Sequence, residues 1–400
     1  MSQLPPVYNR FVVALAAGIF LAVAWSYAYE QRPDSAIRSG DFPAFYTLAS
    51  IASSSEPQQL YNISVQQELQ RTLWPQMAGS MLPAAYPPYV AWILQPATLL
   101  SPERAKEAWS VLSIVVLLIT ARVIGHFNPA LYREGPQTTI LLISFLPSLL
   151  GAAGGQASAL SALLACVVCG LLATSPSPKR DLLLGISAGA WMFKPHFAFP
   201  FVFAAILQRR WLAVSSYTVV LLLLSCMAFR LLGLSWLEQW LLFARDFAHL
   251  DLLSNSYQMS GVVALASSLA GPNGLGSSVE VTLVGASLAA LFGSILLVLR
   301  LGPSDAPLIL PSLVALLAPV VNFYDLSMVW ASGLMIFNPR RSSHRWSMVA
   351  CVAAGASCTL LRSNNVPGLM LLLNVMIGGW LCLQLANHRK ESPVTDSSQS

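Results

Sequence analysis

The chain has 400 residues, of which 56% are hydrophobic and 10% charged, with a formal net charge of +5. A soluble domain carries about 25% charged residues, so this composition excludes an ordinary soluble enzyme. The basic residues form no stripe with interleaved aromatics, which argues against a nucleic-acid partner.

Apolar runs of helical length recur from residue 11 to residue 386. The bilayer is therefore the solvent, and the expected fold class is an all-α polytopic membrane protein. The first run, Phe11 to Tyr29, lacks a convincing small-residue cleavage site and is followed by many further runs, so it reads as a retained helix. Residues 30–103 form a long loop. Within it "YPPYVAWILQPATLL", 86–100, reads as a re-entrant or interfacial helix, because a prolyl-rich run of this length makes a poor crossing. Spans are then expected over 104–125, 138–152, 157–174, 181–193, 195–208 and 211–232. After a second long loop, 233–278, they resume over 279–301, 306–320, 325–338, 346–361 and 366–386, twelve in all with 11–29. A span of 14 residues gives about 21 Å of helix against a hydrocarbon core of about 30 Å, so the shorter ones must be buried by neighbours or line a wet cavity. Residues 1–390 read as one integral-membrane domain, and "ESPVTDSSQS", 391–400, as a disordered cytoplasmic tail.

With the N-terminus in the cytoplasm, the inner segments hold 13 of the 22 basic residues and 5 of the 17 acids. That bias is the one expected of cytoplasmic loops. It places both long loops, and every polar cluster that sits awkwardly in an apolar chain, on the outer side. The six cysteines all lie in apolar segments, and Cys166-x-x-Cys169 has no paired ligands nearby, so they read as wall residues. No G-x-x-x-x-G-K-[ST] loop, metal-ligand spacing or G-x-S-x-G elbow is present, so no cofactor is expected.

Each outer cluster has an ordinary reading beside a functional one. Asp41 in "SGDFPAFYTLA" is either the N-cap of a short helix opened by Pro43 or a catalytic carboxylate at the membrane edge, where charge is costly. Asp34 reads as a solvated loop acid. Lys194 and His196 flank Pro195 in "WMFKPHFAFPF"; they either snorkel to the interface or hold an anionic phosphate. Asn322, Tyr324 and Asp325 in "NFYDL" begin another span; the acid either answers the helix dipole or accepts sugar hydroxyls. Gln156 after two glycines, Tyr46, and Tyr86 before two prolines are candidate substrate contacts. Arg362 reads as a partner of lipid headgroups or of phosphate. Asn62-Ile63-Ser64 is a glycosylation sequon of a kind common by chance.

Taken in order, "DFPAFY", "QLYN", "YPPYVAWILQP", "GGQASAL", "KPHFAFPF" and "FYDL" resemble glycosyltransferase family 87, bacterial membrane enzymes of the GT-C type, over about residues 11–386. The resemblance implies a GT-C-type bundle and a polyprenyl-phosphate-linked sugar donor, typically the mannose form. It also implies transfer to a glycolipid or glycan acceptor on the outer face of the cytoplasmic membrane. By the same resemblance Asp41 would be the base and Lys194 would meet the donor phosphate, while the family's "YD" matches at Tyr324 and Asp325; from the residues themselves, His196 would assist Lys194, and Tyr324 and Asp325 would contact substrate. The chain departs from the family at Phe45, where members often carry a tyrosine. The rival reading is a polytopic lipid or solute transporter, whose site would lie nearer the midplane.

Overall fold

A computed structural model describes residues 41–75, 81–132, 137–302, 304–338, 341–361 and 364–389. The expected first span 11–29, Asp34, Arg362 and the tail 391–400 lie outside them. Prolines and small polar residues open many of the helices. In the first long loop, α1 (Phe42–Ala52) has Pro43 in its first turn, α2 (Ile63–Leu73) is capped by the Asn62 side chain, and α3 (Pro88–Leu94) starts on its own proline. The sequon asparagine is thus a helix cap. α4 (Pro102–Phe127) follows, with the Ser101 hydroxyl accepting from the Arg104 amide.

Next come α5 (Gln137–Ile143), α6 (Leu146–Ala153), α7 (Ser158–Leu172), α8 (Pro178–Ala190), α9 (Pro195–Leu207) and α10 (Trp211–Leu232). The second long loop folds as α11 (Trp236–Asn255) and α12 (Val262–Leu269). The chain closes with α13 (Ser277–Leu301), α14 (Leu310–Leu317), α15 (Leu326–Leu334), α16 (Ser342–Leu361) and α17 (Leu369–Arg389). Among the described residues the extended contacts reduce to one isolated bridge, Met259 with Asn322.

Four of these helices are long and apolar enough to cross a membrane: α4, α10, α13 and residues 369–386 of α17. Of the other expected spans among the described residues, 157–174, 195–208 and 346–361 are single helices, α7, α9 and α16, whereas 138–152 and 325–338 fold differently. Residues 138–152 split into α5 and α6 where Pro147, which has no amide hydrogen, falls in the first turn of the second piece. The span at 325–338 is the nine-residue α15, every residue of it buried. The run at 86–100 is α3 followed by a 3-10 turn, Gln95–Leu99, too short together to cross.

The short helices form the centre. Trp330 of α15 stacks between Phe145 and Trp380, with ring centroids 5.2 Å away on each side, and donates its indole N–H to the Leu141 carbonyl at 2.9 Å. Helices α8 and α10 make the most extensive pair. A Cβ on Gly185 would stand 2.1 Å from the Ala213 carbonyl oxygen, so the backbones touch where only hydrogen fits. At the end of this pair away from Lys194, buried Arg210 donates to Asp181 at 2.8 Å and to the Leu171 carbonyl, tying α7, α8 and α10 together.

Candidate active site

Asp41 stands at the N-cap position of α1, yet its carboxylate makes no capping hydrogen bond. Its backbone is the anchor: the Asp41 amide donates to the Gly154 carbonyl at 2.8 Å. Gly155 follows at φ +75°, where a Cβ would lie 2.6 Å from the Cβ of Phe42. Glycine alone lets that turn close against α1 while adopting the left-handed conformation. Gln156, 5% exposed, comes next, and its Oε1 has no hydrogen-bond partner in the structure. The glycine pair therefore fixes the place of Asp41 and delivers Gln156 beside it.

Lys194 sits in the break between a 3-10 turn, Trp191–Phe193, and α9. Its ammonium donates to Asp325 Oδ1 at 2.5 Å, both side chains being buried, and lies 5.1 Å and 5.3 Å from the ring centroids of Phe197 and Tyr324. Asp325 ends a 3-10 turn, Phe323–Asp325, and makes no side-chain cap to α15. Its carboxylate thus serves as the partner of Lys194. The two-proline motif supports the same corner: the Tyr89 hydroxyl donates to the Met192 carbonyl at 2.7 Å, two residues before Lys194.

Two adjoining cavities bring these groups together. The larger, about 500 Å³, is lined by Asp41, Gln156, Asn255 and Gln258, among others. The smaller, about 240 Å³, is lined by Lys194, His196, Asp325 and Trp240. Tyr86, Asp251, Asn322 and Tyr324 line both. Tyr86 packs on Phe45 at 4.5 Å between centroids, and a Tyr324 side-chain hydrogen bond reaches Asp41.

Tyr46 lies elsewhere. Its hydroxyl donates to the Leu100 carbonyl at 2.8 Å, and its ring lines a separate apolar pocket of about 210 Å³ with Phe42 and Trp109. One residue beyond Phe45 turns a side chain about 100° around the helix, away from the polar cavity. Cys166 and Cys169 are buried and unbridged in α7. Among the described residues no three His, Cys, Asp or Glu side chains converge as metal ligands.

Asp251 is the ionisable site residue that sequence reasoning missed, along with Asn255 and Gln258 of the larger cavity. It is buried on α11, accepts from Asn255 Nδ2 at 2.7 Å, and is hydrogen-bonded by the Asn322 side chain. Its helix is anchored over the cavities by the Trp240 indole, which donates to the Ala85 carbonyl at 3.0 Å, and by His249 against Glu280 at 2.7 Å. Trp240, Ala244, Phe247, Ala248 and Asp251 follow helical spacing, and all face the smaller cavity. That phase was the available signal, and the acids and bases elsewhere on α11 obscured it.

Three carboxylates, Asp41, Asp251 and Asp325, share this space with one lysine. Burial pushes the Asp41 carboxyl up to about 6, and the Asp251 charge adds to the shift. The Lys194 charge and the Tyr324 hydrogen bond pull it down, and Asp325 raises it slightly. Burial also raises Asp251, against the hydrogen bonds from Asn255 and Asn322 and the charge of Lys194. A carboxylate poised near neutrality can take a proton from a hydroxyl and release it again.

A family model described as Glycosyltransferase family 87 matches residues 84–323, more than half of the chain. The match takes in Tyr86, Gln156, Lys194, His196, Asp251 and Asn322, and ends just before Tyr324 and Asp325. No curated protein and no solved structure matches the chain.

Proposed function

The chain belongs to glycosyltransferase family 87, and on that premise we propose an inverting transfer of a hexose from a polyprenyl-phosphate donor. The four apolar helices and the family together make it a membrane glycosyltransferase; the transporter alternative gives way to the family. The proposed sugar is mannose. The acceptor is a lipid-linked or envelope glycan at the outer face of the cytoplasmic membrane, as the charge bias of the loops suggests.

In this reading Asp41 removes the proton from an acceptor hydroxyl as its oxygen bonds to the anomeric carbon. The bond from that carbon to the phosphate oxygen breaks, and polyprenyl phosphate leaves with the electron pair. Lys194 stabilises the charge growing on the phosphate, sharing its ammonium between the leaving group and Asp325, with His196 beside it in the smaller cavity. Tyr86 and Tyr324 flank the sugar where the two cavities meet, and Asn322, Asp325 and Gln156 are placed to hydrogen-bond hydroxyls. A single displacement inverts the anomeric centre, so a β-linked donor gives an α-linked product.

The observation that supports this most strongly is the Asp41 carboxylate, uncapped and lining a cavity that adjoins the one holding Lys194. The test is donor use by purified protein in lipid. Polyprenyl phosphate mannose should be consumed and an α-mannosyl product formed, while a nucleotide-linked mannose should not be used. Consumption of the nucleotide sugar instead, or a β-linked product from the β-linked donor, would contradict the proposal.

A further inference from the structure

The two cavities differ in chemistry, and the difference bears on the acceptor. The polar lining of the larger one consists chiefly of Asp41, Gln156, Asp251, Asn255, Gln258 and Asn322; among its described lining residues there is no lysine, arginine or histidine. Lys194 lines the smaller cavity and is already paired with Asp325. Four carboxamides and two carboxylates suit neutral hydroxyl groups, which both donate and accept.

Gln156 adds an independent sign of a ligand. It is almost fully buried, it lines the larger cavity, and its Oε1 is left without a partner. A buried unpaired carbonyl oxygen is costly, and a hydroxyl donor entering the cavity would remove that cost. Asp251 is held by Asn255 and Asn322, yet a carboxylate has about four acceptor sites, so sites remain for incoming hydroxyls.

We propose that the larger cavity holds the accepting saccharide and selects an uncharged, hydroxyl-rich one, with Asp251 and Gln156 as the selecting groups. This rests on the transfer reading above, in which the donor phosphate occupies the smaller cavity beside Lys194. A saccharide bearing its own carboxylate would be brought against Asp41 and Asp251, and among the described lining residues the one lysine, Lys194, stands in the smaller cavity paired with Asp325. Asp251, buried at the junction of the two cavities, marks the boundary between the neutral compartment and the anion-receiving one.

The test compares an octyl-linked dimannoside with the same molecule oxidised to a terminal mannuronate, using the full chain in lipid nanodiscs. Binding is measured without donor, by intrinsic fluorescence, and transfer is measured separately with polyprenyl phosphate mannose. The parent is expected to bind the neutral probe at least about tenfold more tightly than the uronate. Asp251→Asn, of the same shape, should shrink that preference to about threefold or less. Gln156→Leu should weaken the neutral probe by about tenfold in Kd or KM, with a much smaller change at saturation, a split that general destabilisation would not produce. Equal or tighter binding of the uronate by the parent overturns the proposal, as does failure of the neutral probe to bind. If Asp251→Asn does not fold, the parent's own ratio decides. Selective binding without transfer would count against the donor reading and leave the assignment of this cavity intact.

Discussion

Asp41 is under opposed influences, and their signs give separable predictions. Its carboxyl is pushed up to about 6, first by burial and then by Asp251. The basic form dominates above that value, so the transfer rate should fall as pH drops through about 6. Asp251→Asn removes a charge that disfavours ionised Asp41, and the acid limb of the kcat profile should then move to lower pH. An unmoved limb would dissociate it from Asp41. The sign for stability is the reverse. The folded state binds this proton more tightly than the unfolded chain does, with its ordinary value of 3.8. Ionised Asp41 therefore weakens the fold, progressively as pH rises from about 4 to about 6 and fully above. Asp41→Asn should leave the Tm at pH 7 unchanged or higher, whereas loss of a helix cap would cost about 1 kcal/mol. Thermal denaturation distinguishes the two. Lys194 and Asp325 behave as a unit. Lys194→Gln strands a buried carboxylate and should cost about 3–5 kcal/mol of stability, much of which the double change with Asp325→Asn should restore. A double-mutant cycle in which the two losses simply add would refute the pairing.

Among elements, the turn at Gly154-Gly155-Gln156 links packing most directly to chemistry. Gly155→Ala forces a side chain into a left-handed backbone and against Phe42, so Asp41 must shift. A loss of at least about 1 kcal/mol is expected, together with a fall in transfer larger than that destabilisation explains. Chemical denaturation and kcat on the same preparation would show it; a variant with parental activity would separate the turn from the site. Much of this site could be read from the chain, because Lys194, His196, Gln156 and the 322–325 cluster interrupt runs where an apolar residue is the norm. Asp251 was not legible in the same way. Its helix also carries Glu238, Arg245, Asp246 and His249, so an acid there looks like part of a solvated face until its phase with Trp240 and Phe247 is known. Tyr46 was misplaced for the converse reason: proximity to Asp41 along the chain does not fix the side of α1 on which a ring emerges.

At the scale of the whole molecule, hydropathy located the apolar segments closely but not their form. Runs that read as spans at 138–152 and 325–338 became a broken pair and a nine-residue helix. Hydropathy reports burial in lipid and burial in protein alike, and only length separates them. The short helices end near the polar cluster, so backbone breaks at Lys194 and at Asn322 face a cavity lined by protein, the setting in which broken helices are tolerated at a membrane. In the proposed reaction Asp41 is the base for transfer from a lipid-phosphate donor. The most direct measurement is the single-turnover rate of mannosyl transfer from prebound polyprenyl phosphate mannose, parent against Asp41→Asn in the same lipid. A fall of at least about 10²-fold is expected, with donor affinity unchanged. Equal rates for the two proteins would contradict it.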